Sequence, residues 1–479
     1  GNRHGLVAGA TGTGKTKTVQ VMAEQLSKQG VPVLLMDLKG DLSGLAQEGG
    51  TNKHVEKRHS AIGIPYQEEA MPVELLSISD EKGVQLKATI SEFGPVLFSK
   101  ILGLNDVQSG ITTIIFKYCD DNKLPLLDLS DFKKTLQYLN SDGKEAIEEE
   151  YGRIASSSVA AIMRSIVELE QQGADTFFGE PSFDVDDLVR FDDQGRGMIS
   201  IIRLTDIQNR PKLFSTFMLC LLSEIYHSFP EEGDMDRPKL AIFIDEAHLV
   251  FEEASDALLD QLEAIIKLIR SKAVGIYFCT QNPEDIPDDI LGQLGLKIQH
   301  ALRAFTAKDR KAIKKTAENY PLSDYYKTDE VLTSLGIGEA LITALNEKGI
   351  PTMLAATLLR APLSRMDILS KKEIDTLVSD SKLVKEYNQE IDRESAYEIL
   401  KGKMDEAASE EKQEEIKKVQ EKAKKTSTRR KKAEPSFVEQ MSKNTMVRQV
   451  GRTVARELMR GLLGVMGVKK TRSSSKSWF

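Results

Sequence analysis

Hydrophobic residues near the start of the chain fall into two kinds of pattern. His4–Gly9 and Val31–Asp37 are short apolar runs, whereas apolar residues in Lys15–Gln29 recur every three or four positions up to Gly30. A continuous run is typical of a strand buried on both faces of a parallel sheet, and the wider spacing is typical of a helix. The order strand, helix, strand predicts a βαβ unit.

A second stretch of helical spacing separates this unit from further apolar runs. Apolar residues recur at three and four positions in Ile101–Tyr118 and Ile147–Leu169, with Leu124–Leu129 as a connector, and predict a mostly helical insertion over residues 80–190. The elements predicted after it are the strand Gly197–Leu204, the helix Lys212–Tyr226, the strand Leu240–Asp245, the helix Ala257–Ser271 and the strands Gly275–Thr280 and Lys297–Leu302. Together they predict an α/β fold in which helices flank a mostly parallel sheet.

Charge sets the end of the chain apart. The 479 residues carry a formal net charge of −8, yet residues 401–479 contain 21 Lys/Arg and 10 Asp/Glu. We predict a charged helical extension over 366–432 and a basic amphipathic tail over 433–479. The two stripes of the tail are Arg448, Arg452, Arg456 and Arg460, and Val450, Val454, Leu458 and Leu462. Such a helix packs against protein, lies on an anionic membrane or follows nucleic-acid phosphates; packing is favoured, and the alternatives stay open.

A glycine-rich loop joins the first predicted strand to the first predicted helix. Gly9–Thr16 (GATGTGKT) fits G-x-x-x-x-G-K-T in the strand-to-helix setting that this pattern requires. The loop turns backbone N–H groups toward a phosphate, and the helix N-terminus adds partial positive charge. We expect Lys15 to reach the β- and γ-phosphates of ATP and the Thr16 hydroxyl to bind Mg²⁺. The predicted nucleotide-binding residues are Gly9, Ala10, Thr11, Gly12, Thr13, Gly14, Lys15, Thr16 and Lys17.

An acidic pair ends the predicted strand Leu240–Asp245. A P-loop enzyme needs a second carboxylate for the metal and, for hydrolysis, a base that orients water. We expect Asp245 to hold Mg²⁺ through water and Glu246 to polarise the attacking water. A glutamate directly after the aspartate favours a hydrolase over a small-molecule kinase.

Three more side chains are candidates for the same reaction. Gln281 follows the strand Gly275–Thr280, which we expect between the P-loop strand and the Asp245 strand, so that Gln281 can sense the γ-phosphate. Arg270 precedes that strand, and Arg303 follows the next one. Either arginine can stabilise transition-state charge from a neighbouring subunit, and each is explained equally well as a surface arginine.

A charged turn, Asp37–Asp41 (DLKGD), ends the second strand. In the usual strand order of such sheets this strand lies beyond the Asp245 strand, away from the P-loop, so we expect the turn not to touch the phosphates. One interpretation is a capped turn with Asp41 as the N-cap of the next helix. The functional alternative is a surface that faces a neighbouring subunit or a channel. We interpret the turn as a feature that indicates which family of P-loop ATPases the chain resembles, and not as part of the phosphate site.

The motifs together resemble a known family. The letters D-E-A-H suggest a DEAH-box helicase, but Lys15 and Asp245 are too far apart for that family. A P-loop at the head of the domain, D-L-K-G-D after the second strand, a long insertion, F-I-D-E-A-H and then R-S-K-A-V-G-I-Y-F-C-T-Q-N-P resemble the HerA–FtsK superfamily of ring-forming, DNA-pumping ATPases. Within it, the chain most resembles HerA-like bacterial proteins of the YjgR type. The resemblance covers residues 1–365 and the basic tail.

This resemblance implies a RecA-like P-loop core, ATP hydrolysis with Mg²⁺ and a homo-oligomer, commonly a hexamer with DNA in its channel. It makes Asp245 and Glu246 the Walker B aspartate and catalytic glutamate, and Gln281 the sensor. Arg270 matches an arginine that acts across the subunit interface in relatives. HerA proteins usually begin with a small β-barrel, which we expect this chain to lack.

The predicted core has two parts, 1–79 and 191–365, on either side of the insertion. An ATP-driven DNA motor is the main functional hypothesis. The alternative is an ATPase switch that recruits or remodels a protein partner through the basic tail, without DNA translocation. We expect a cytoplasmic protein, because the sequence shows neither a secretory signal nor an apolar run that could cross a bilayer.

Overall fold

Ten strands form one sheet in the part of the chain that the structure describes. This computed structural model describes residues 4–406 except 234, 252–255, 390, 392 and 393, and also residues 409, 417 and 418. The strands are β1 (Gly5–Ala8), β2 (Val33–Asp37), β3 (Val73–Ser77), β4 (Val84–Gln85), β5 (Ile199–Arg203), β6 (Leu240–Ile244), β7 (Val274–Thr280), β8 (Leu296–Gln299), β9 (Glu339–Ala344) and β10 (Ala355–Leu358). Their order across the sheet is β10-β9-β8-β1-β7-β6-β2-β5-β3-β4.

All pairs from β8 to β4 are parallel, whereas β9 and β10 form an antiparallel edge. Both faces of the sheet are covered. Along β2, Leu34 and Met36 belong to one buried apolar cluster, and Val33 and Leu35 belong to another. Burial on both faces explains why the central strands are continuous apolar runs. The predicted α/β fold, a mostly parallel sheet flanked by helices, is confirmed.

Helices connect the strands and cover the sheet. They are α1 (Lys15–Lys28), α2 (Lys53–Ile62), α3 (Ile90–Ile101), α4 (Asp106–Asp121), α5 (Leu129–Leu139), α6 (Lys144–Glu150), α7 (Ser156–Gln171), α8 (Pro211–Ser228), α9 (His248–Phe251), α10 (Asp256–Leu268), α11 (Asp288–Leu291), α12 (Ala307–Glu318), α13 (Thr328–Ser334), α14 (Lys371–Asp380) and α15 (Lys382–Tyr387). Residues 396–406 are also helical.

The segment between β4 and β5 is mostly helical, with α3 to α7 packed around buried aromatic side chains such as Phe98 and Phe132. The helix predicted over Ile101–Tyr118 is divided, because α3 ends at Ile101 and Asn105 starts α4 by accepting a hydrogen bond from the Gln108 N–H group. The boundaries proposed for this insertion stay a prediction.

Helix α1 is tied to a distant segment of the chain, residues 363–366. Lys17 Nζ donates to the carbonyl oxygen of Met366 at 2.6 Å, and Gln20 Nε2 donates to Ser364 Oγ at 2.8 Å. The carboxylate of Glu24, which is fully buried, accepts hydrogen bonds from the N–H groups of Leu363 and Ser364, each at 2.9 Å. Three side chains on one face of α1, spread over about two turns, therefore bind one short stretch of the chain.

The C-terminal part is described only in places. The chain divides into two units after Asp405. The basic tail predicted over 433–479, with its arginine and apolar stripes, lies outside the described residues. Among the described helices, none combines the length and the apolar character needed to cross a membrane.

Candidate functional site

Four parallel strands end at the same edge of the sheet, and each is followed by a motif. The P-loop follows β1, Gln281 follows β7, Asp245 and Glu246 follow β6, and the Asp37–Asp41 turn follows β2. These strands are neighbours in the order β1-β7-β6-β2. Ligands of open α/β sheets bind outside the carboxyl ends of the strands. The topology therefore brings the four motifs to one place.

Two positions of the P-loop, Gly9 and Gly14, have a backbone conformation or surroundings that disfavour a side chain. Gly9 has φ 150°, and a Cβ atom there would lie 2.5 Å from His300 Cβ. Gly14 has a left-handed backbone and starts α1, which has no side-chain cap. An uncapped helix N-terminus inside a glycine-rich loop is the anion-binding arrangement expected of a P-loop.

Lys15 is buried against this loop. Its Nζ atom donates to the carbonyl oxygen of Gly9 at 2.6 Å and to that of Ala10 at 3.3 Å. Burial lowers the pKa of Lys15, and the charge of Lys39 lowers it further against the opposing effect of the nearby carboxylates. The ammonium group of Lys17, by contrast, donates to the carbonyl oxygen of Met366 and to Gln20 Oε1.

Asp245 has the properties of a metal ligand. Its Oδ2 atom is buried and has no hydrogen-bond partner among the residues that the structure describes. Burial raises the pKa of this carboxyl to about 6. Thr16 and Asp245 line the same small cavity, so a hydroxyl-bearing residue and a carboxylate-bearing residue lie close together. Mg²⁺ prefers such oxygen ligands, and a bound cation would compensate the buried negative charge. The residues present therefore fit Mg²⁺.

Glu246 has an unusual backbone and a charged partner. Its φ of 46° lies in the left-handed region, which non-glycine residues adopt rarely; residues with such strained backbones cluster at active and ligand-binding sites. Its Oε1 atom forms an ion pair with Lys39 Nζ, whereas His248 Nδ1 lies 3.3 Å from Oε2 without forming a hydrogen bond. Burial alone would raise the pKa of Glu246, but the hydrogen bond and charge of Lys39, with smaller contributions from His248 and Gln281, lower it overall.

Gln281 connects the loop to this glutamate. Its Oε1 atom accepts a hydrogen bond from Thr11 Oγ1 at 3.2 Å, and its Nε2 atom lies 3.5 Å from Glu246 Oε1. An amide side chain in this position contacts both the phosphate-binding loop and the expected base. The position predicted for Gln281, between the P-loop strand and the Asp245 strand, is the one observed.

The structure separates the two candidate arginines. Arg303 follows β8 and lines a concavity together with Ala10, Thr11 and Gln281, at the edge that carries the P-loop. Arg270 precedes β7 and lies at the amino ends of the strands, where it lines a concavity with His4. Only Arg303 is therefore brought to the P-loop of its own chain.

The charged turn after β2 differs from its prediction. Asp37, not Asp41, organises it, because the Asp37 carboxylate accepts hydrogen bonds from the N–H groups of Gly40, Asp41 and Leu42. The expectation that Asp41 is an N-cap is wrong, since Leu42 holds that position without a side-chain bond. The turn also takes part in the site, through Lys39. No local pattern indicates this contact, because it joins residues that lie 207 positions apart along the chain.

The strand order, the P-loop and the acidic pair define a P-loop NTPase with a RecA-like core. The family model described as "Helicase HerA-like C-terminal" matches residues 1–471, and the chain belongs to this family. The predicted resemblance to HerA-like ATPases and the prediction of a P-loop NTPase are both confirmed.

Known relatives agree with this assignment. The chain is 22% identical over 378 residues to the DNA double-strand break repair helicase HerA of Sulfolobus acidocaldarius, a match that covers 76% of this chain and 67% of that protein. Among solved structures, the bacterial conjugative coupling protein TrwBdeltaN70 is similar with a TM-score of 0.50 and 13% identity, over 77% of this chain and 88% of that one. TrwB in complex with ADP and Mg²⁺ gives the same TM-score and identity over 76% and 88%. At this identity the two structures show the fold alone.

Proposed function

We propose that the chain binds ATP together with Mg²⁺ and hydrolyses it to ADP and phosphate. The observation that carries this proposal is the buried, unpartnered Oδ2 atom of Asp245 next to Glu246, at the sheet edge where the P-loop begins. A kinase that transfers phosphate to a small molecule has no need of a second carboxylate beside the metal ligand, whereas a hydrolase needs a base for water.

Each residue has a separate task in the proposed reaction. The P-loop N–H groups and Lys15 bind the phosphates, and Thr16 and Asp245 would hold Mg²⁺. When bound, this ion supplies Lewis-acid stabilisation of charge on the phosphate oxygens. Glu246 accepts a proton from the attacking water as the water oxygen bonds to the γ-phosphorus and the bond to ADP breaks.

Phosphate release from ATP, measured with Mg²⁺ and with EDTA, tests the proposal. We expect turnover only with Mg²⁺. Glu246→Gln should lower kcat by about 10²- to 10⁴-fold with nucleotide binding retained, since it removes the base and not the P-loop. Lys133→Met is the matched control, because its ion pair with Glu170 lies in the helical insertion. Wild-type turnover in Glu246→Gln would contradict the role of this residue.

We further propose a homo-oligomer in which Arg270 completes the site of a neighbouring subunit. The position of Arg270 at the sheet edge opposite the P-loop supports a contribution in trans, because repeated head-to-tail contacts bring unlike edges of successive copies together. Mixing Lys15→Ala with Arg270→Ala chains tests this. If Arg270 acts in trans, the mixture regains turnover that neither variant has alone; no regain in mixed oligomers would refute it.

DNA is the proposed partner of the motor, and translocation along DNA is its proposed output. The HerA relative supports this by its description as a DNA repair helicase. Linear duplex DNA should stimulate ATP turnover at low salt, with a response that falls as salt rises. If DNA neither binds nor stimulates, the alternative is favoured: an ATPase switch whose protein partner is lost on deletion of residues 443–479.

A further inference from the structure

The turn after β2 is built to hold one side chain in place. The carboxylate of Asp37, itself only 1% exposed, accepts from Gly40 N at 2.7 Å and from Leu42 N at 3.0 Å. Gln208 Nε2 donates to the carbonyl oxygen of Leu38 from the other side. The backbone on both sides of Lys39 is therefore fixed by hydrogen bonds, some within the turn and one from the loop that follows β5.

From this turn, the side chain of Lys39 crosses the end of β6. Strands β2 and β6 are paired in register, with Met36 opposite Ile244, so the turn and the acidic pair start from the same level of the sheet. Lys39 Nζ reaches Glu246 Oε1 there, in an ion pair whose side chains are 37% and 10% exposed.

Lys39 is the strongest partner that Glu246 has among the described residues. Gln281 Nε2 lies 3.5 Å from the same oxygen, at the limit of a hydrogen bond, and Oε2 accepts no hydrogen bond. A charge-assisted hydrogen bond is about twice as strong as a neutral one. Without Lys39, the long contact with Gln281 and the approach of His248 Nδ1 to Oε2, at 3.3 Å, would remain to orient the carboxylate.

We propose that Lys39 is a positioning residue for ATP hydrolysis, which fixes the carboxylate of Glu246 where it receives the proton of the attacking water. This inference rests on the proposed ATPase function and adds a role for the D-L-K-G-D turn. Lys39 acts through Glu246 and not on ATP, because its ammonium group is committed to that carboxylate. The left-handed backbone of Glu246 increases its need for a partner such as Lys39, because strained residues hold their geometry only when surrounding contacts determine it.

Steady-state kinetics of Lys39→Met, Lys39→Arg and wild type test the proposal. Loss of positioning should lower kcat of Lys39→Met by about tenfold or more, a part of the effect of a positioned base, with less than about a twofold change in KM for ATP. Lys39→Arg keeps a charged donor and should recover most of kcat. A structural effect alone would not be rescued in this way. Lys133→Met again serves as the control for loss of an ion pair elsewhere.

A double-mutant cycle with Glu246→Gln decides whether Lys39 acts through the glutamate. We expect Lys39→Met to have no further effect on the residual kcat of Glu246→Gln. An equal loss in both backgrounds would show a direct action on ATP and would overturn the proposal. An unchanged or increased kcat of Lys39→Met would overturn it as well.

The same four proteins separate this proposal from the proposed function. Thermal unfolding of the cycle reports the ion pair without any turnover. Coupling between Lys39 and Glu246 in unfolding, together with absence of ATP hydrolysis by the wild type, would refute the ATPase function itself. Normal hydrolysis by the wild type with no kinetic coupling would refute only the role of Lys39.

Discussion

The turn after β2 should be sensitive to a single added methyl group. Gly40 has φ 74°, and a residue with a Cβ atom pays about 1–2 kcal/mol to adopt this left-handed conformation. The Cβ atom of an alanine would also lie 2.9 Å from Thr205 Cγ2. Threonine is β-branched and has few alternative rotamers, so the contact is not relieved cheaply. We expect Gly40→Ala to lower the free energy of unfolding by about 2 kcal/mol or more.

The two costs can be separated, because they arise from different atoms. Thr205→Ser removes Cγ2 and keeps the hydroxyl group that donates to Glu81 Oε1. Urea unfolding followed by circular dichroism should place the double variant between Gly40→Ala and Thr205→Ser, with the backbone cost of about 1–2 kcal/mol retained. If Gly40→Ala is as stable as the wild type, the left-handed turn is refuted. If Thr205→Ser recovers nothing, the steric part is refuted.

Two further predictions concern stability around α1 and the P-loop. Burial, with a contribution from the charge of Lys15, lowers the pKa of His300 from 6.5 to about 4. As the pH falls, the unfolded chain therefore takes up the proton before the folded chain does. The free energy of unfolding should decrease between pH 6.5 and pH 4, by up to about 3 kcal/mol. His300→Asn should flatten this loss in urea unfolding at pH 7.5 and pH 5, and an unchanged pH dependence would contradict a neutral buried imidazole. Glu24→Ala leaves the buried N–H groups of Leu363 and Ser364 without an acceptor and should lower the free energy of unfolding by about 3 kcal/mol. Glu24→Gln keeps one acceptor and should lower it less. Equal midpoints of thermal unfolding for both variants would refute this account.

The nucleotide site is predictable from sequence as far as its motifs are local. Gly9–Thr16 is one continuous segment, and Asp245 and Glu246 end one apolar strand, so their types and setting can be read without a structure. The neighbourhood of β1, β7 and β6 follows from the strand order of the class. The sequence does not show which side chains on separate strands contact each other. For that reason the contact between Lys39 and Glu246 could not be predicted.

Other elements left no clear pattern to recognise. Strand β10 is largely exposed, and β9 alternates irregularly between buried and half-buried positions, so neither follows the buried pattern of the central strands. Strand β3 is fully buried, but Glu74 interrupts its apolar residues, so no continuous apolar run marks it as a strand. In each case, pairing with a neighbouring strand and not local preference determines the structure.

The contacts of α1 with residues 363–366 have a mechanical consequence. That segment forms hydrogen bonds with three side chains at successive turns of α1, namely Lys17, Gln20 and Glu24. The first of these lies two residues after the P-loop lysine. Helix α14 starts five residues beyond the segment, at Lys371. We expect a tilt of α1 to shift residues 363–366, and the start of α14 with them, because these hydrogen bonds join them directly to the helix.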